Sequence, residues 1–228
     1  MKRICTLLCA GVLAGSAQAA NVGVDNSSAP WLGFMNVFAL PQDGGGYIFG
    51  SPWGIADLVA TFDDGYPSIS MFPNSIGDPN EFWYQDPTGG GNPNPGGPGA
   101  PGNKIMEANL YQEVSDGSLS GTTVTFSGYV LSNTFTDAHD ARIFIRDFAP
   151  DYSSSVDVYI DATVGYFSFS LNTIADPARH VQWGFQVKGV NVWITDIAPF
   201  GSVTYSSIPA PASMALLTLG GLAMRRRR

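Results

Sequence analysis

Cysteine is nearly absent: Cys5 and Cys9 are the only two, and both fall in a short apolar stretch at the N-terminus that reads as a removable leader. The remainder therefore carries no thiol, which excludes a disulfide framework, thiolate-bound zinc or iron, and a cysteine nucleophile. Positive charge is scarce too. Of the 11 Lys and Arg residues, Lys2, Arg3 and Arg225, Arg226, Arg227 and Arg228 sit at the ends. Only Lys104, Arg142, Arg146, Arg179 and Lys188 lie between them, five cations against 19 acidic residues, so the middle of the chain is near −14. Such a field repels phosphate backbones and anionic headgroups, so nucleic acid is not an expected partner and membrane contact is left to the C-terminal tail.

Catalytic vocabulary is also thin. There are two histidines, His139 and His180, no serine in a G-x-S-x-G elbow and no H-E-x-x-H pair. An enzyme is not expected. An extracellular glycoside hydrolase stays open as an alternative, because the two carboxylates it needs are not located by sequence among 19. The acidic surface supplies ligand types for structural calcium, but no EF-hand loop occurs, and Gly44-Gly45-Gly46-Tyr47 departs from the calcium-binding nonapeptide. No cofactor is expected and no metal site is located.

What the chain has is β-structure and turns. Only 13% of residues are charged, and 27 Gly and 16 Pro punctuate a chain too apolar for disorder. Alternation of period two is plain at Val124, Phe126 and Val130, at Val156, Val158 and Ile160, and at Phe167, Phe169 and Leu171. Further strands are expected at residues 31–40, 56–62, 68–72, 105–111, 141–148, 181–187, 190–197 and 202–205. No stretch of the middle shows sustained helical periodicity. Ten or eleven strands without alternating helices predict an all-β fold, a two-layer antiparallel β-sandwich of jelly-roll type. Residues 86–103, of which 12 of 18 are Gly or Pro, build no core and read as a long insertion within a single domain spanning residues 20–207.

Two binding surfaces are expected. Lys188-Gly189 reads as a two-residue turn joining strands 181–187 and 190–197. Pairing Val187 with Val190 would place Trp183 and Phe185 on an apolar face, and Gln182, Gln186, Asn191 and Trp193 on the other, with Trp193 across from Gly184. An indole flanked by amides suits a sugar ring, whose C–H face stacks and whose hydroxyls bond. The second surface is Trp53, on a Pro-Trp-Gly loop, with Trp83 and Tyr84 of the run Phe82-Trp83-Tyr84. Three consecutive aromatics on a strand cannot all enter one core.

Both termini read as export signals. Lys2 and Arg3 precede the apolar residues 4–15, and Ala17-Gln18-Ala19 has the spacing of a signal-peptidase site, so a signal helix is expected with cleavage after Ala19. The C-terminus runs Ile208-Pro209-Ala210-Pro211, then apolar residues 212–224, then four arginines. Thirteen helical residues span about 20 Å, short of the ~30 Å hydrocarbon layer. This order resembles the PEP-CTERM sorting tail of bacterial exported proteins, with Ala210 where that family usually carries Glu. The resemblance implies a short hydrophobic helix, handling by signal peptidase and an exosortase-like enzyme, and delivery to the cell envelope, cell surface or extracellular matrix. Residues 103–111 (NKIMEANLY) and 176–201 are similar to ectodomains that accompany such tails, which resemble galactose-binding-like and carbohydrate-binding-module jelly rolls. The expected function is non-catalytic binding of a matrix polysaccharide or glycoprotein, with a structural or adhesive matrix protein lacking sugar specificity as its rival.

Overall fold

The computed structural model describes residues 19–79, 82–84 and 96–209. The expected signal segment apart from its last residue, Ala19, most of the Gly/Pro-rich insertion and the expected sorting tail from Ala210 lie outside them. Among the described residues are fourteen strands and no α-helix. They are β1 (Ala19–Val22), β2 (Leu32–Ala39), β3 (Tyr47–Pro52), β4 (Ala60–Asp63), β5 (Ser68–Met71), β6 (Ser75–Ile76) and β7 (Lys104–Val114). After these come β8 (Thr123–Asn133), β9 (His139–Phe148), β10 (Ser155–Asp161), β11 (Gly165–Asn172), β12 (His180–Val190), β13 (Val192–Trp193) and β14 (Val203–Ser206).

Two six-stranded sheets form the body. One runs β10-β9-β12-β7-β2-β3, antiparallel throughout. The other is centred on β8, with β11 along one edge and β1 and β14 end to end along the other, continuing through β5 to β4. Only β1 with β8, and the small β13–β6 pair, are parallel. Strands from before residue 86 and after residue 103 share both sheets, since β2 pairs β7 and β5 pairs β14.

Period-two alternation sends one face of each sheet inward. Met35, Leu110, Ile143, Ile145, Phe185 and Val187 from the first sheet meet Ile69, Phe126, Val203 and Tyr205 from the second, all fully buried. The Phe185 ring stacks on Tyr205 at 3.9 Å between centroids and meets Phe126 at 5.6 Å. Each such side chain contributes about 1.5–3 kcal/mol through burial. A buried ion pair ties the segment before β12 to the end of β9: Arg179 Nε donates to Asp147 Oδ1 at 2.8 Å, and the Ile174 N–H donates to Oδ2 at 2.7 Å.

The expected hairpin at Lys188-Gly189 does not form. β12 passes straight through both residues, pairing with β7 and β9 at Lys188 and Gly189 alike. The glycine serves close approach rather than a turn, because a Cβ there would collide with the His139 ring and lie 2.5 Å from the Ala138 carbonyl. Lys188 projects outward, its Nζ 3.1 Å from Glu107 and over the Phe38 ring. The strand expected at residues 190–197 shrinks to β13, which pairs with β6. Strand β3, after a glycine-rich turn, was not expected.

Candidate binding groove

Correcting the hairpin leaves part of the expected face intact. Gln182, Gly184 and Gln186 do lie opposite Trp183 and Phe185, but their neighbours come from β7 and β9. Gln182 is flanked by Glu113 and Arg146, Gly184 by Tyr111 and Phe144, and Gln186 by Asn109 and Arg142. Gly184 is small because β7 comes close: a Cβ would collide with the Leu110 carbonyl and lie 2.7 Å from Tyr111 Cα. β2 extends the same face, with Leu32 beside Tyr111 and Phe34 beside Asn109.

The outer face so assembled holds a groove of about 600 Å³. Its apolar walls are Leu32, Phe34, Tyr47, Pro52, Tyr111, Phe148 and Tyr152, and its polar groups are Asn36, Glu113, Arg146 and Gln182. The polar groups are held in place. Gln182 Nε2 donates to Glu113 Oε2 at 2.6 Å, and the Tyr152 hydroxyl donates to Glu113 Oε1 at 3.0 Å. Arg146 Nε donates to the Tyr159 hydroxyl at 2.9 Å and Nη2 to Asn109 Oδ1 at 2.7 Å. Gln186 Nε2 donates to that same Asn109 oxygen at 3.0 Å.

Tyr152 comes from a loop. It adopts φ of 57°, a left-handed conformation that costs a non-glycine residue about 1–2 kcal/mol. The turn brings its ring onto His180 at 4.4 Å and its hydroxyl onto Glu113. Burial, reinforced by the Glu113 carboxylate, pushes the phenol up to about 12. Burial also raises Tyr111 and Tyr159, the latter against the opposing Arg146 charge. These phenols therefore stay protonated donors well into the alkaline range.

The other expected residues are placed differently. Trp193 is 9% exposed and packs against Tyr84 at 5.6 Å, so it offers no open ring face. Asn191 is buried, its Oδ1 accepting the N–H groups of Asn103 and Lys104 at 3.0 Å each and its Nδ2 reaching the Trp83 carbonyl, which makes it a backbone brace. Trp83 and Tyr84 are buried, and Phe82 is the exposed member of the aromatic run. Trp53 meets the Trp83 ring edge-on at 5.5 Å, beside a hollow of about 580 Å³ that Asp57, Ser75 and Asp78 also line. The structure thus brings Trp53 and Trp83 together, and Gln182 and Gln186 together, on separate surfaces. Among the described residues no three His, Cys, Asp or Glu side chains gather as a metal site requires.

No protein-family model matches the chain, and no curated protein matches it. Two solved structures are similar to it at low level. TmCBM61, solved in complex with β-1,4-galactotriose, aligns over 81% of this chain and 88% of its own, with a TM-score of 0.33 and 10% identity. A structure described among carbohydrate-binding modules of the β-sandwich superfamily aligns over 78% of this chain and 72% of its own, with a TM-score of 0.32 and 14% identity. Likeness this slight carries no ligand across, and the groove's chemistry is read from its own side chains.

Sequence reasoning missed Tyr111, Glu113, Arg146 and Tyr152. The first three lie on the outward positions of strands whose alternation is legible. What could not be read was that β7 and β9 flank β12.

Proposed function

We propose that this chain is a non-catalytic carbohydrate-binding β-sandwich, exported and working at the cell surface or in the extracellular matrix. The observation that carries the reading is the groove on the outer face of β2, β7, β9 and β12. There, tyrosine and phenylalanine rings alternate with fixed amide, carboxylate and guanidinium groups, the combination that binds a sugar's C–H faces and hydroxyls. A buried apolar cleft would suit a hydrophobic ligand. Here the groove-lining Gln182 is held by Glu113, and Arg146 by Asn109 and Tyr159, so a polyhydroxylated ligand meets partners that need no rearrangement.

Glu113 is the one carboxylate on the groove wall among the described residues, and it is engaged by Tyr152 and Gln182. Acid–base hydrolysis of a glycosidic bond needs two, so the arrangement favours binding over cleavage. After β7 the chain passes between the two sheets except at the neighbouring strands β9 and β10, which supports a jelly-roll reading of the sandwich. Export rests on the terminal signals around Ala19 and Pro209-Ala210-Pro211. Among the described residues no helix is long and apolar enough to cross a membrane.

A glycan array probed with the protein tests the reading. Retention on at least one polysaccharide class, lost in Tyr152→Ala, supports it. Absence of binding to every glycan, with the protein folded, would leave the structural or adhesive alternative.

A further inference from the structure

We propose that the sugar selected by the groove is an acidic one, a ring carrying a carboxylate as in a uronate-containing polysaccharide, held by the free N–H groups of the Arg146 guanidinium. This rests on the carbohydrate-binding reading above and adds the ligand's charge to it.

Arg146 is 7% exposed and forms part of the groove wall. Both of its acceptors, the Tyr159 hydroxyl and Asn109 Oδ1, are neutral, and its guanidinium carbon lies 3.7 Å from the Phe144 ring centroid. No carboxylate comes within ion-pair distance of it among the described residues. Asp157, its register partner on β10, is exposed and makes no ion pair with it. The other described arginines differ: Arg142 lies 3.8 Å from Asp161, and Arg179 lies 2.8 Å from Asp147. In a chain so rich in carboxylates, a buried guanidinium matched only by neutral groups is a costly arrangement unless an anion completes it.

The geometry also specifies what kind of anion fits. Nε and Nη2 each spend one N–H on the protein, and Nη1 has no acceptor among the described residues, so two N–H groups at Nη1 and one at Nη2 remain. A free N–H on each of Nη1 and Nη2 offers a planar carboxylate two bonds. The plane is fixed in advance, because Asn109 is itself held by Gln186 Nε2 and donates to the Phe34 and Glu107 carbonyls. Glu113 does not cancel the site. It stands two strands from Arg146 with Gln182 between them. Glu113 already accepts from Gln182 and Tyr152.

The test compares one polymer in two charge states: polygalacturonate, and the same polymer with its carboxyls methyl-esterified, titrated against the intact protein at about 0.15 M salt, which screens the repulsion between the acidic chain and the acidic polymer beyond about 8 Å. The expected result is at least tenfold tighter binding of the acid form. Arg146→Gln should erase the preference, and Arg146→Lys should restore part of it by returning the charge without the fork. The wild-type comparison stands even if a variant fails to fold. Equal affinity for acid and ester would overturn the acidic-sugar inference while leaving sugar binding intact. Tight binding of neutral glucans or galactans with none to polygalacturonate would do the same. Failure to bind any polymer, charged or neutral, would overturn the underlying reading as well.

Discussion

Replacing Arg179 by methionine should destabilise the fold strongly. The Asp147 side chain is fully buried, and its two oxygens receive Arg179 Nε and the Ile174 N–H. Arg179 Nη2 also donates to the Asp147 carbonyl at 2.6 Å. Removing the cation leaves a carboxylate in the interior with one backbone donor, a change that costs about 3–5 kcal/mol. For a domain of this size each kcal/mol moves Tm by about 2–4 °C, so Arg179→Met should lower Tm by about 6–20 °C. Removing both charges is a different perturbation. In the double variant Asp147→Leu, Arg179→Met no charge is stranded, and what remains, besides the bond to the Asp147 carbonyl that either Arg179 variant loses, is the orphaned Ile174 N–H at about 1–3 kcal/mol. The double variant should therefore be more stable than Arg179→Met alone. Thermal unfolding by circular dichroism on the wild type, both single variants and the double closes the cycle. A double variant at least as unstable as the sum of the singles would refute the reasoning, as would an Arg179→Met shift under 2 °C.

His139 should make stability fall with pH. Its Nε2 bonds the Val190 carbonyl, its Nδ1 is buried without a partner, and burial holds its pKa below the ordinary value despite Val190 and Asp140. Its contribution is complete above about pH 6.5, where unfolded and folded imidazoles are both neutral, and is lost as pH falls and only the unfolded chain takes up the proton; urea midpoints between pH 8 and 5 should drop more for wild type than for His139→Gln. Tyr152→Phe should remove one phenol that ionises near pH 12 from the ultraviolet titration, since that is where the groove holds it. Mass spectrometry of the exported protein should show an N-terminus at Ala20 and loss of Arg225 to Arg228, and a secreted form keeping the arginines would argue against the sorting tail.

The layering of this fold was legible where side-chain alternation is strict. Val124, Phe126 and Val130 on β8, and Phe167 and Leu171 on β11, face inward as their period requires. Neighbour relations were not legible, because they depend on contacts dozens of residues apart. Lys188-Gly189 is the telling instance: a glycine after a polar residue signals a turn locally, yet here the missing Cβ admits the His139 ring from the adjacent strand. The same limit hid the groove. Gln182 and Gln186 were assigned to the outward face, but the partners that make that face a site, Tyr111, Glu113 and Arg146, belong to strands whose register no local pattern specifies. Tyr152 was hidden differently, by a left-handed turn at a residue type that rarely adopts one.

The central claim is that sugar binds the outer face of the β12 sheet, and the opposite outer face supplies the control. Tyr166 on β11 is 64% exposed and pairs with Tyr129 at 5.3 Å, an aromatic platform of similar size on the other sheet. Titration calorimetry should be run with the best glycan against Tyr152→Ala and Tyr166→Ala, both at solvent-exposed positions and both checked for unchanged Tm. The groove account predicts at least a tenfold loss of affinity for Tyr152→Ala and none for Tyr166→Ala. Loss in Tyr166→Ala with full binding in Tyr152→Ala would contradict it and move the site to the β8 sheet.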